Sequence, residues 1–77
     1  MITVAYNKDS KKILGFIVAD YEINPEEVFG EFINYEVVQT EIMPPLTGYD
    51  KYIVDIENGE LKDYILQGED SNEKTSL

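Results

Sequence analysis

Tyr52-Ile53-Val54-Asp55-Ile56-Glu57-Asn58-Gly59-Glu60-Leu61-Lys62-Asp63-Tyr64-Ile65 is the stretch whose reading decides the fold. Two runs rich in β-branched and aromatic residues flank Asn58-Gly59, the dipeptide that most readily supplies the two positive φ angles of a tight hairpin turn. A two-residue turn pairs Glu57 with Glu60, Ile56 with Leu61, Asp55 with Lys62, Val54 with Asp63, Ile53 with Tyr64 and Tyr52 with Ile65. That register puts Tyr52, Val54, Ile56, Leu61 and Ile65 on one face. Ile53, Asp55, Lys62 and Tyr64 take the other, where Asp55 and Lys62 form a favourable cross-strand charge pair. Asp55, Glu57 and Glu60 around Gly59 also look superficially like a calcium loop. The glycine is fifth where that loop needs it sixth, and the hairpin accounts for Asn58-Gly59 better.

Working outward, the N-terminal end carries a second hairpin. Ile2, Val4 and Tyr6 alternate with Thr3 and Ala5, which is strand periodicity. Asn7-Lys8-Asp9-Ser10 supplies side chains that bond their own local backbone in turns. Residues 12–19, Lys-Ile-Leu-Gly-Phe-Ile-Val-Ala, are the returning strand. A loop of about four residues pairs Tyr6 with Ile13 and Ile2 with Ile17, a spacing typical of such hairpins. Gly15 within the run points to a bulge or a close backbone approach. Both faces of residues 12–19 are apolar, which predicts a central strand covered on both sides.

Between the hairpins, Asn24-Pro25-Glu26-Glu27 has the form of a helix start: a capping amide, a proline suited to the first position, and acids that complement the dipole. Val28, Phe29, Phe32 and Ile33 follow at helical spacing as its expected buried stripe. Gly30 lowers helix propensity by about 1 kcal/mol relative to alanine, so the element is short, either two to three turns or a 3₁₀ turn. Residues 35–43 read as a further strand, halted by Pro44-Pro45, and 44–50 as a loop. The fold class is therefore α+β and mostly β: two β-hairpins with a short helix and a further strand between them. Residues 1–66 form one small strand-rich domain. From residue 67 the composition turns to Gly, Glu, Asp, Ser, Asn and Lys, so 67–77 is expected to be a disordered acidic and polar tail.

Composition restricts function. The 77 residues hold 16 acids against 6 lysines, a net charge of −10, with no histidine and no cysteine. Nucleophilic catalysis needs an activated nucleophile beside a base, and thiolate or imidazole metal sites need residues that this chain lacks. Carboxylate pairs are numerous, but a domain of this size rarely encloses a cleft that dries and orients a substrate. The expectation is a non-catalytic chain with no metal and no cofactor. Lys12 and Lys51 bracket a stretch without any basic residue, which disfavours direct nucleic-acid binding and anionic membrane surfaces. No apolar run approaches the length that spans a bilayer. The opening residues lack the basic region of a signal peptide, so synthesis in the cytoplasm is expected.

A scaffold this small, without disulfide or metal, commonly gains stability by association, so a protein partner or self-association is expected. Tyrosine combines apolar area with a polar handle at interfaces, and it is equally a good strand residue. The loop tyrosine Tyr49, with Leu46 beside Pro44 and Pro45, forms the most suggestive contact patch. Leu46, Tyr49, Tyr52 and Tyr64 are the candidate partner-binding residues. The alternative is an acidic face of Asp20, Glu22, Glu26, Glu27 and Glu31 directed at a basic protein, as in mimicry of DNA phosphates. The first reading of the acidic excess is a solvated, solubilising surface.

The segments from Val4 through Asn7-Lys8-Asp9-Ser10 to Gly15, and from Tyr52 through Asn58-Gly59 to Lys62, together resemble small uncharacterised proteins encoded beside tail-fibre and baseplate genes in phages and prophages of Gram-positive bacteria. The resemblance spans roughly residues 1–65 and rests on the order of strand, Asn-Lys turn, acidic middle and Asn-Gly hairpin. It implies a virion tail or baseplate component and transfers no functional residues. A small acidic phage-type inhibitor of a basic host protein, such as a nuclease or a defence complex, is the alternative that charge and size suggest.

Overall fold

The computed structural model of the chain describes residues 1–67; the expected tail lies outside the described residues, apart from Gln67. Five strands and one short helix follow in the order β1 (Ile2–Asn7), β2 (Ile13–Val18), α1 (Pro25–Phe29), β3 (Tyr35–Thr40), β4 (Tyr52–Glu57) and β5 (Glu60–Leu66), with a 3₁₀ turn at Tyr49–Lys51. The α+β, mostly-β reading with two hairpins is the architecture observed. The strands form a three-stranded antiparallel sheet in the order β2-β1-β3 and a separate hairpin, β4-β5. Backbone pairing joins the two where Lys12 bridges Ile53 and the Val54 amide donates to the Lys11 carbonyl at 2.9 Å.

The central strand is β1, not β2. Residues 2–6 are all buried, whereas β2 is an edge strand that is buried at Ile13, half-buried beyond it and exposed at Val18. The apolar character of both β2 faces reflects two different neighbours. On one face Ile2, Val4, Tyr6, Ile13 and Val38 form the main core with Val54 and Leu61 of the second hairpin, and Phe16 packs against them. On the other, Ala5 and Gly15 stand side by side. A Cβ at Gly15 would lie 3.6 Å from the Phe32 ring and 3.9 Å from that of Phe29, so the small residue lets this aromatic layer come close. Phe29, Phe32 and Tyr35 form a three-ring cluster with centroids 6.1 to 6.4 Å apart, within the range favoured by aromatic pairs. The molecule therefore has three layers: hairpin, sheet and a short helical segment.

The first hairpin turns as its residues direct. The Asn7 side-chain oxygen accepts from the amides of Asp9 and Ser10, both at 2.8 Å. Lys11 takes a φ of 68°, and Tyr6 pairs with Ile13. Beyond that pair the register differs from expectation, since Leu14 is an extra residue, Gly15 opposes Ala5, and Ile2 faces Val18 instead of Ile17. A bulge at this point bends the edge strand and adds twist.

The second hairpin contains the same device. Asn58 and Gly59 have φ of 56° and 79°, as the tight turn requires. Glu57 pairs with Glu60 and Ile56 with Leu61, as expected. Lys62 is then the extra residue, so Asp63 opposes Asp55, Tyr64 opposes Val54, Ile65 opposes Ile53 and Leu66 opposes Tyr52. A one-residue slip moves every later side chain to the other face. Tyr64 thus packs against the core and Ile65 is largely exposed, the reverse of the sequence reading. The expected Asp55–Lys62 pair is not formed. Lys62 approaches Glu60 at 3.8 Å, and Asp55 and Asp63 stand opposite each other.

The helix begins as read, with the Asn24 side chain accepting from the Glu26 amide at 3.1 Å and Pro25 in the first turn. It stops after five residues. The expected stripe is only half realised: Phe29 is buried and Phe32 half-buried, while Val28 is exposed and Ile33 is 85% exposed. After Phe29 the chain passes through a turn and a bend to Asn34, at a φ of 60°, so Ile33 is not part of a helical face. Strand β3 ends at Thr40 and not at residue 43. The Thr40 hydroxyl oxygen accepts from the Ile42 amide at 3.0 Å, turning the chain before the prolines are reached.

Candidate interaction surface

The four residues expected to bind a partner lie in different surroundings. Tyr49, Tyr52 and Tyr64 are half-buried and pack against the core. Tyr49 meets Phe16 edge-on at a centroid distance of 5.7 Å, and Pro44 beside this loop is fully buried. Leu46 alone of the four projects outward, 73% exposed. The tyrosines thus spend most of their apolar area inside the domain, and the loop patch contracts to one leucine. Of the alternative residues, Asp20, Glu22, Glu26, Glu27 and Glu31 are all exposed, spread from the end of β2 across α1.

A different surface gathers more. Ile2 pairs with Val18 on one side and with Thr40 on the other, so the start of β1, the end of β2 and the end of β3 converge at one end of the sheet. The Ala19 amide donates to the Met1 carbonyl at 3.0 Å and extends this alignment. Beyond it the chain bends through Asp20 and Tyr21 on its way to α1. Met1, Val18, Ile42 and Met43 stand here with exposures between 40% and 54%, and Tyr21 reaches 72%. Asp20, Glu22 and Glu41, all exposed, lie in the same segments. Single exposed apolar side chains are ordinary; several in the segments that meet at one end of the sheet, interspersed with acids, make this end the candidate contact region.

This end also contains a pocket of about 270 Å³ lined by Met1, Asp20, Tyr21, Glu22 and Gln39. That is slightly below the range of pockets that enclose drug-sized molecules, about 300–1,000 Å³. Among the described residues, no lysine or terminal amine comes within 4 Å of either carboxylate. Sequence reasoning named Asp20 and Glu22 but passed over Tyr21, Met1 and Gln39. The available signal was Asp20-Tyr21-Glu22 itself, a tyrosine outside any strand and between two acids.

Two tyrosines have perturbed hydroxyls. Burial raises Tyr6, and so do its hydrogen bond to Glu36 (3.1 Å) and the charge of that carboxylate. Burial pushes Tyr64 up to about 12. Both are structural positions on the core face. Among the described residues, no three acidic side chains come together as a potential metal site, and no helix is long and apolar enough to cross a membrane.

No protein-family model, curated protein or solved structure matches this chain.

Proposed function

We propose that the chain is a non-catalytic protein–protein interaction module, acting as an accessory component of a phage virion tail or baseplate. The observation that carries the first part is that Met1, Val18, Tyr21, Ile42 and Met43 are all exposed in or next to the chain segments that meet at one end of the sheet. Exposed apolar and aromatic side chains interspersed with acids suit a partner surface that buries the former and leaves charge at the rim. The absence of histidine and cysteine from the sequence supports the non-catalytic reading. The virion assignment rests on the resemblance of the two hairpin segments to proteins encoded beside tail genes.

A second reading, an acidic inhibitor of a basic host protein, is favoured by one observation. In the second hairpin Asp55 faces Asp63 and Glu57 faces Glu60, so that element carries two opposed acidic pairs, of which Lys62 approaches only Glu60.

Quantitative mass spectrometry of gradient-purified virions and of soluble complexes from the native source separates the two. A fixed stoichiometry with tail proteins that survives 0.5 M salt supports the first reading, because apolar contacts resist screening. Recovery only with a basic nuclease or defence protein, in a complex that dissociates between about 0.1 and 0.5 M salt as exposed charge pairs do, establishes the second.

A further inference from the structure

We infer that the pocket between Asp20 and Glu22 receives an arginine side chain of the partner protein. The inference rests on the interaction-module reading and names the chemistry of what docks.

Three observations lead to it. The pocket is sized for a side chain, at about 270 Å³. Its lining includes two acidic residues and Tyr21, a residue 72% exposed, and among the described residues no protein cation lies within 4 Å of either carboxylate. The side chains that residues 20–39 bring to it carry charge of one sign, since no basic residue occurs between Lys12 and Lys51. A guanidinium satisfies all three conditions: its planar fork donates to carboxylates, its face stacks on tyrosine, and its methylene stem lies along apolar surface such as Met1. A lysine would offer a point charge without the planar match. A second copy of this chain is excluded as the donor, because the sequence contains no arginine and each copy carries a charge of −10.

The test uses the full chain and two capped tripeptides, Leu-Arg-Leu and its neutral isostere Leu-citrulline-Leu, titrated while amide NMR signals are recorded. The expected result is saturable shifts at Asp20, Tyr21, Glu22 and Gln39 with the arginine peptide. Citrulline should bind about tenfold more weakly or worse, as loss of a charge-assisted hydrogen bond implies. Asp20→Asn with Glu22→Gln should abolish saturation with the other amide signals unmoved, and Glu26→Gln with Glu27→Gln should leave it intact. Equal binding of the two peptides, or shifts that grow linearly at every exposed acid, overturns the inference. A D20N/E22Q chain that still assembles with native tail particles at wild-type stoichiometry would also overturn it, while leaving the module reading in place.

Discussion

The Tyr64 hydroxyl donates to the Ile42 carbonyl at 2.5 Å and so ties the outer strand of the second hairpin to the turn that follows β3. This bond exists because Lys62 bulges out of β5. Without the extra residue Tyr64 would face away from the sheet, and Ile42 would lose the contact that anchors it beside the candidate surface.

Tyr64→Phe keeps the ring against the core and removes only the donor. Stability to urea should fall by about 0.5–1.5 kcal/mol, the usual net worth of one hydrogen bond. The Ile42 and Met43 amides should show the largest rise in hydrogen exchange. Unchanged exchange at both would show that the bond does not hold this turn.

Alkaline pH should weaken the fold. The neutral Tyr64 hydroxyl is favoured by burial, and its donated bond also requires the proton. Its folded-state value, about 12, lies above the ordinary 10. Between those values the unfolded chain has released a proton that the folded chain retains, so stability declines as pH rises. The contribution is fully present below pH 10 and is lost as pH climbs through about 12. Tyr6 is shifted in the same direction and adds to the decline. Denaturation midpoints from pH 8 to 12 test this, with Tyr64→Phe flattening the curve.

Gly30→Ala distinguishes propensity from packing. Alanine is the better helix former by about 1 kcal/mol, which alone would make the change stabilising. In the structure a Cβ at position 30 collides with the backbone carbonyl of Glu26. The substitution should therefore destabilise, by about 1–3 kcal/mol as forced overpacking does. A higher melting temperature would refute the packing argument.

Two positions on the nominal stripe of the short helix should differ sharply. Phe29→Ala empties the centre of the three-ring cluster and should cost about 3–5 kcal/mol. Ile33→Ser, at a side chain that is 85% exposed, should change stability by no more than about 0.5 kcal/mol. Equal losses at the two sites would mean that helical spacing, and not the observed layering, describes this segment.

Those contrasts mark the boundary between local and non-local information. The Asn58-Gly59 turn, the Asn24-Pro25 helix start and the Asn7 turn were legible in the sequence because each is closed by bonds within three residues or so. Their requirements, positive φ, a missing amide or a short side-chain acceptor, are written in the residue types themselves. Strand identity was legible for the same reason, through alternation and β-branching.

The bulges at Leu14 and Lys62, the central place of β1, and the core-facing position of Tyr64 were not. Each depends on which side chain best fills the space between layers, and period-two alternation reads equally well on either side of a one-residue slip. The candidate surface belongs to this second class. Met1, Tyr21, Gln39 and Ile42 lie far apart along the chain, and only the pairing of Ile2 with both Val18 and Thr40 brings their segments to one end. By itself the sequence determined which elements form and the sign of the charge they carry. The tertiary structure decided which of those charges and apolar groups meet, because that choice is made by packing across layers and not by any residue's own backbone preference.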